Sequence, residues 1–140
     1  MIGGTAVIEN VGLVDATITA TNYVGGLVGY SEGSVRESYV NASVSGGNDW
    51  VGGLVGYNGG SISESYTMGD VTGDDIVGGL AGKNNGPVSE SYAAGSVSGT
   101  SLVGGLIGDT EFGNVNGDTG TKRRPGNPRR PGVLVSRPAR

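Results

Sequence analysis

The hexamer VGGLVG stands at Val24–Gly29 and again at Val51–Gly56. It returns as VGGLAG at Val77–Gly82 and as VGGLIG at Val103–Gly108, at intervals of 27, 26 and 26 residues. A catalytic loop is needed once, whereas a structural layer is needed as often as layers stack. A fixed period of this size, with no helical spacing inside it, specifies repeated units that each touch only their neighbours.

Aligning on the hexamer brings the rest into columns. SVRESYVNASVSG (Ser34–Gly46) matches SISESYTMGDVTG (Ser61–Gly73) and PVSESYAAGSVSG (Pro87–Gly99), and IENVGLVDATITA (Ile8–Ala20) is a diverged first copy. Val35, Ile62 and Val88 open a first β-favouring run, with Ile8 equivalent. Val44, Val71 and Val97 mark a second, with Ile18 equivalent. The hexamer is the third, with Leu27, Leu54, Leu80 and Leu106 three places after its valine. The second copy carries one extra residue, within Gly46–Asp49, where a loop insertion keeps the strands in phase.

The fold expected is all-β: a right-handed parallel β-solenoid (β-helix) of about four coils of 26–27 residues, with three short strands per coil. Coils stacked about 4.8 Å apart would make a rod near 19 Å long. The expected coils are 8–33, 34–60, 61–86 and 87–112, inside a solenoid domain 1–120. The hexamer glycines are expected to bend the chain through positive φ, so that Val and Leu both point inward. A phosphate-binding loop would need a Lys-Ser/Thr pair and a following helix, and neither is present.

Composition narrows the chemistry. The 140 residues include no Cys and no His, so thiolate catalysis, disulfides and the commonest general base and zinc ligand are excluded. No acidic pair stands out from the repeat as a glycosidase dyad. The chain reads as non-catalytic and without a cofactor or metal. Charge is divided: residues 1–120 hold two basic residues against thirteen acidic ones, a net −11, while the last twenty hold seven basic residues and no acid. The segment 121–140, rich in Pro and Arg, is expected to be a disordered tail, serving as a linker or electrostatic arm. Its abrupt change of composition also suits a truncated or frame-shifted gene. MIGGTAVIEN lacks the regions of a signal peptide, and no apolar run is long enough to span a membrane.

The segment GSISESYTMGDVTGDDIVGGLAGKNNG (Gly60–Gly86) resembles the GLUG repeat. That family occurs in large bacterial and archaeal surface proteins, in filamentous-haemagglutinin-like adhesins and beside the catalytic domain of some immunoglobulin A peptidases. The resemblance covers roughly residues 8–112. It implies a repetitive, non-catalytic structural or adhesive segment of a secreted or cell-surface protein. The peptidase motif H-E-x-x-H is missing, so no peptidase role is carried over. On this reading the chain is a fragment of a longer protein.

Three rows offer candidate surfaces. Alternation puts Ser38, Ser65 and Ser91 inward and Tyr39, Tyr66 and Tyr92 outward, as a ladder. That ladder is either a stabilising aromatic stack or a face for sugar rings, the alternative reading being a carbohydrate-binding module. Glu37, Glu64 and Glu90 form an acidic row at a bend, solvated or bridged by a cation. Small hydroxyl residues flank the second run (Thr17 and Thr19, Ser43 and Ser45, Thr72, Ser96 and Ser98), with Asp70 interrupting the row, and read as a polar outer face. Expected partners are glycans or cell-surface proteins, together with end-to-end self-association, with no specific nucleic acid.

Overall fold

The computed structural model describes residues 1–110 together with the strands Val115–Asn116 and Thr119–Gly120. The expected tail, 121–140, lies outside the described residues. Among those described there is no helix, and every strand pairs in parallel with its equivalent one repeat away. The chain is a β-solenoid of about four turns.

The columns read from the sequence are the rungs of four sheets. The first sheet stacks Val7–Glu9, Ser34–Arg36, Ser61–Ser63, Val88–Ser89 and Val115–Asn116, with Ile8, Val35, Ile62 and Val88 in register. The second begins with Gly12–Ala20 on Tyr39–Gly46, with Ile18 opposite Val44. Its later rungs are each broken in two: Tyr66–Thr67 and Val71–Thr72, then Tyr92–Ala93 and Val97–Ser98. The break falls at Gly69 and Gly95, where the second coil has Ala42. A β-carbon on Gly69 would lie 1.7 Å from the Ala42 carbonyl oxygen, and Gly95 has φ 124°.

The third run, expected as one strand, is two. Val24–Gly25, Trp50–Gly52, Ile76–Gly78 and Leu102–Gly104 form the third sheet, and Val28–Ser31, Val55–Asn58, Ala81–Asn84 and Ile107–Thr110 form the fourth. The chain folds back between them, at the second glycine and the leucine of each hexamer. Amides in this bend still bond to the next coil: Gly26 N–H donates to Gly53 O at 3.0 Å, Gly53 N–H to Gly79 O at 3.1 Å and Leu54 N–H to Leu80 O at 2.9 Å. The bend therefore leaves these amides paired, which permits its burial.

The hexamer glycines serve close backbone approach and not the positive φ expected of them. No described hexamer glycine has positive φ. Their role is to let backbones touch. A β-carbon on Gly25, Gly52 or Gly78 would meet the carbonyl oxygen three residues ahead, across the fold-back, at 2.1, 2.1 and 1.9 Å. One on Gly26, Gly53 or Gly79 would meet the bend carbonyl of the next coil at 2.3, 2.2 and 2.2 Å. The third and fourth sheets thus pack back to back, backbone against backbone at the glycines, with side chains entering only at the mouth of the arch.

This arch divides the interior into two aliphatic cores. The fourth sheet faces the larger one, where Val28, Val55, Ala81 and Ile107 meet Val35, Ile62 and Val88 of the first sheet and the bend leucines. The third sheet faces the smaller, where Val24, Val51 and Val77 meet Val44, Val71 and Val97. Each fully buried Val or Leu contributes roughly 1.5–3 kcal/mol, so the columns supply the drive to stack.

Two single-residue insertions are absorbed differently. The extra residue in the second coil sits in the corner Gly46–Asp49, where Gly47 and Asn48 N–H groups bond to Thr21 O, and register resumes beyond it. The first coil has an insertion that the column reading overlooked, inside the strand Gly12–Ala20. A bulge between Val14 and Ala16 absorbs it, with Asp15 at φ 55°, so Ile18 keeps its inward face.

Leu54→Asp or Val71→Asp should cost about 3–5 kcal/mol, by placing an unpaired charge in a closed core. Ser63→Asp, on the outer face of the first sheet, should change stability by less than about 0.5 kcal/mol. Urea unfolding of the three variants checks both.

Candidate functional surfaces

The serine, glutamate and tyrosine rows arise together at the corner between the first and second sheets. Glu37, Glu64 and Glu90 adopt left-handed backbone, at φ 48°, 47° and 48°, as does Asn10 in the same column. This conformation is costly for a residue with a β-carbon. The serine that follows secures the turn. Ser65 Oγ donates to Ser63 O across the corner at 2.8 Å and accepts the Ser38 N–H from the neighbouring coil at 3.2 Å. Ser38 and Ser91 make the same bond within their coils, and Ser91 Oγ accepts the Ser65 N–H. All three serines are buried, as alternation predicts. SESY is thus a corner motif: a buried hydroxyl holds the bend, and the carboxylate is turned outward.

Tyr39, Tyr66 and Tyr92 form the expected ladder, in register, with ring centroids 5.2 and 5.0 Å apart and planes within 8° and 3° of parallel. The first coil has Gly12 in this column, and the Tyr39 ring lies over it: a β-carbon there would come 2.2 Å from Tyr39 Cζ. The rings therefore cover one another along the stack and turn edges and hydroxyls outward. The glutamate row stays exposed, and among the described residues no three acidic groups converge on one point. The hydroxyl face lies outward; Ser98 Oγ reaches Thr72 Oγ1 at 3.5 Å.

A second aromatic group was not singled out from the sequence. Tyr23, Tyr30, Trp50 and Tyr57 close the mouth of the arch in the first two coils. Tyr30 and Tyr57 stack at 4.5 Å; Trp50 lies 4.9 Å from both Tyr23 and Tyr57; Tyr23 meets Tyr30 edge-on at 6.0 Å. In the next two coils the same positions hold Ile76 with Lys83 and Leu102 with Asp109. There Lys83 pairs with Asp109 at 3.3 Å, and its Nζ also lies 5.9 Å from the Trp50 ring centre. The Tyr30 hydroxyl reaches Glu32 Oε1 at 3.4 Å, and Asn85 Nδ2 donates to the Tyr57 hydroxyl at 3.2 Å. Desolvation, then the Glu32 carboxylate and Tyr57, push the Tyr30 phenol above its ordinary pKa, so it stays a neutral donor. The signal was present in the sequence: an aromatic residue stands immediately before and after the hexamer in its first two copies only.

Residues 20–45 match the family model described as the GLUG motif, so the chain carries that motif. The matched stretch is one full period, from the end of one second-sheet strand to the end of the next. No curated protein and no solved structure matches the chain.

Ser65→Ala should cost about 1–3 kcal/mol, because it strips the Ser38 N–H of its acceptor in a buried corner. Glu64→Gly should raise stability by about 1 kcal/mol, by relieving left-handed strain. Thermal melts with both variants test whether hydroxyl and backbone act as described.

Proposed function

We propose that this chain is a non-catalytic structural segment of a secreted or cell-surface protein, a spacer that carries a partner-binding or adhesive part outward. The observation that supports this most is the identity of the rungs. Three coils repeat the serine corner, and all four repeat the arch and the pair of cores, so the chain invests its sequence in a nearly uniform rod. The lack of His and Cys supports the non-catalytic reading. Sugar stacking on Tyr39, Tyr66 and Tyr92 has less to support it, because these rings turn their faces to one another.

The first coil supports self-association. Its Ile8, Leu13, Ile18 and Leu27 are only half-buried where their counterparts in later coils are closed over, and Val7, Val11 and Val14 are exposed. Among the described residues, Gly12–Ala20 pairs along one edge only. A parallel coil from a second copy would continue the interface that joins the coils within the chain. The bulge at Asp15 interrupts this edge and limits the affinity.

Antibody raised against the purified chain should label intact source cells. Label appearing only after permeabilisation would remove the surface assignment. Sedimentation velocity should show a concentration-dependent shift toward dimers and longer species, reduced by Val14→Lys. A single monomeric species at every concentration would refute association.

A further inference from the structure

We propose that the aromatic group at the arch mouth, Tyr23, Tyr30, Trp50 and Tyr57, is a binding site for neutral oligosaccharides. The fold does not need these rings. The arch is closed in the later coils by Ile76 with Lys83 and by Leu102 with Asp109, on the same glycine packing. The Tyr39 ladder recurs in three coils and belongs to the repeat, whereas the arch-mouth group interrupts it.

Backbone strain points the same way. Tyr23 sits at φ 47°, a conformation not shared by Trp50, Ile76 or Leu102 in its column. It is 43% exposed, so the strain holds a large ring toward solvent. Tyr23 meets Tyr30 edge-on and Trp50 at 46°, unlike the parallel stack of the Tyr39 ladder. This tilt leaves ring surface that a neighbour does not cover. A pyranose ring offers an apolar C–H face to such a surface and hydroxyls to the polar groups around it. Those groups are present: the Tyr30 and Tyr57 hydroxyls, Glu32 and Asn85.

Size and charge choose the ligand class. Three of the four rings are half-buried, so the patch offers far less than the roughly 800 Å² per partner of a stable protein interface. A short run of sugars needs less. Residues 1–120 carry a net −11, and Lys83 is engaged by Asp109, so uronic or sialylated chains are repelled and neutral ones are not.

Trp50 is the chain's one tryptophan, so its fluorescence reports on this site directly. The probes are hexamers of β-1,4-linked glucose, β-1,4-linked N-acetylglucosamine and α-linked mannose, with polygalacturonate as the anionic counterpart. We expect a saturable change in Trp50 emission with at least one neutral hexamer and none with polygalacturonate. Tyr23→Asn removes the ring at a backbone position that Asn tolerates, so it should melt no lower than wild type yet bind at least about ten-fold more weakly. Tyr66→Ser should bind as wild type does. The proposal is overturned by no saturable response to any neutral hexamer, by equal binding of Tyr23→Asn, by loss of binding in Tyr66→Ser, or by preference for polygalacturonate.

Discussion

The solenoid depends on contact between bare backbones. Where the third and fourth sheets fold together, carbonyl oxygens occupy the space that β-carbons would need. The two strands of each arch can approach only because Gly25, Gly52 and Gly78 offer nothing in the way. The close approach makes one short hexamer serve two cores, with Val51 on one side of the arch and Leu54 and Val55 on the other. A glycine in a strand ordinarily weakens it by roughly 0.5–1 kcal/mol. Here that cost is offset by amides that bond from coil to coil and by aliphatic columns closed on both flanks.

Polar ladders secure what aliphatic packing leaves free. Apolar columns favour stacking but tolerate sliding, whereas a buried hydroxyl or amide has few acceptable partners. The Ser38, Ser65 and Ser91 row fixes the corner between the first two sheets. On the far side of the larger core, Asn58 Nδ2 donates to Asn84 Oδ1 at 2.7 Å, and Asn84 Nδ2 to Gly86 O at 2.7 Å. Thr67, alone among core positions of its column in carrying a hydroxyl, donates to the bend carbonyl of Gly79 at 2.8 Å. Each ladder spans the repeat distance, so it reads register as well as burial.

Much of this was legible in the sequence, for a physical reason. Parallel in-register stacking places like on like, so any column visible in the alignment becomes a rung. Val35 with Ile62 and Val88, the buried serines and the Tyr39 stack followed from period and alternation alone. What stayed hidden lay across the cross-section, where residues of different columns meet. Gly52 could be seen as necessary, but whether for φ or for space depends on a carbonyl across the arch. The fold-back that splits the hexamer into two strands, and the pairing of Trp50 with Tyr57, depend on the same close approach. The bulge at Asp15 was obscured because the first copy diverges most.

The most direct measurement is the unfolding free energy of alanine variants at Gly52, Gly53 and Gly47, by urea denaturation. Backbone packing at the arch predicts a loss of about 3 kcal/mol at Gly52 and at Gly53, where the carbonyls cannot give way. It predicts little change at Gly47, where the nearest atom to a new β-carbon is Thr21 Cγ2 at 3.4 Å. Equal, small effects at all three positions would contradict the account.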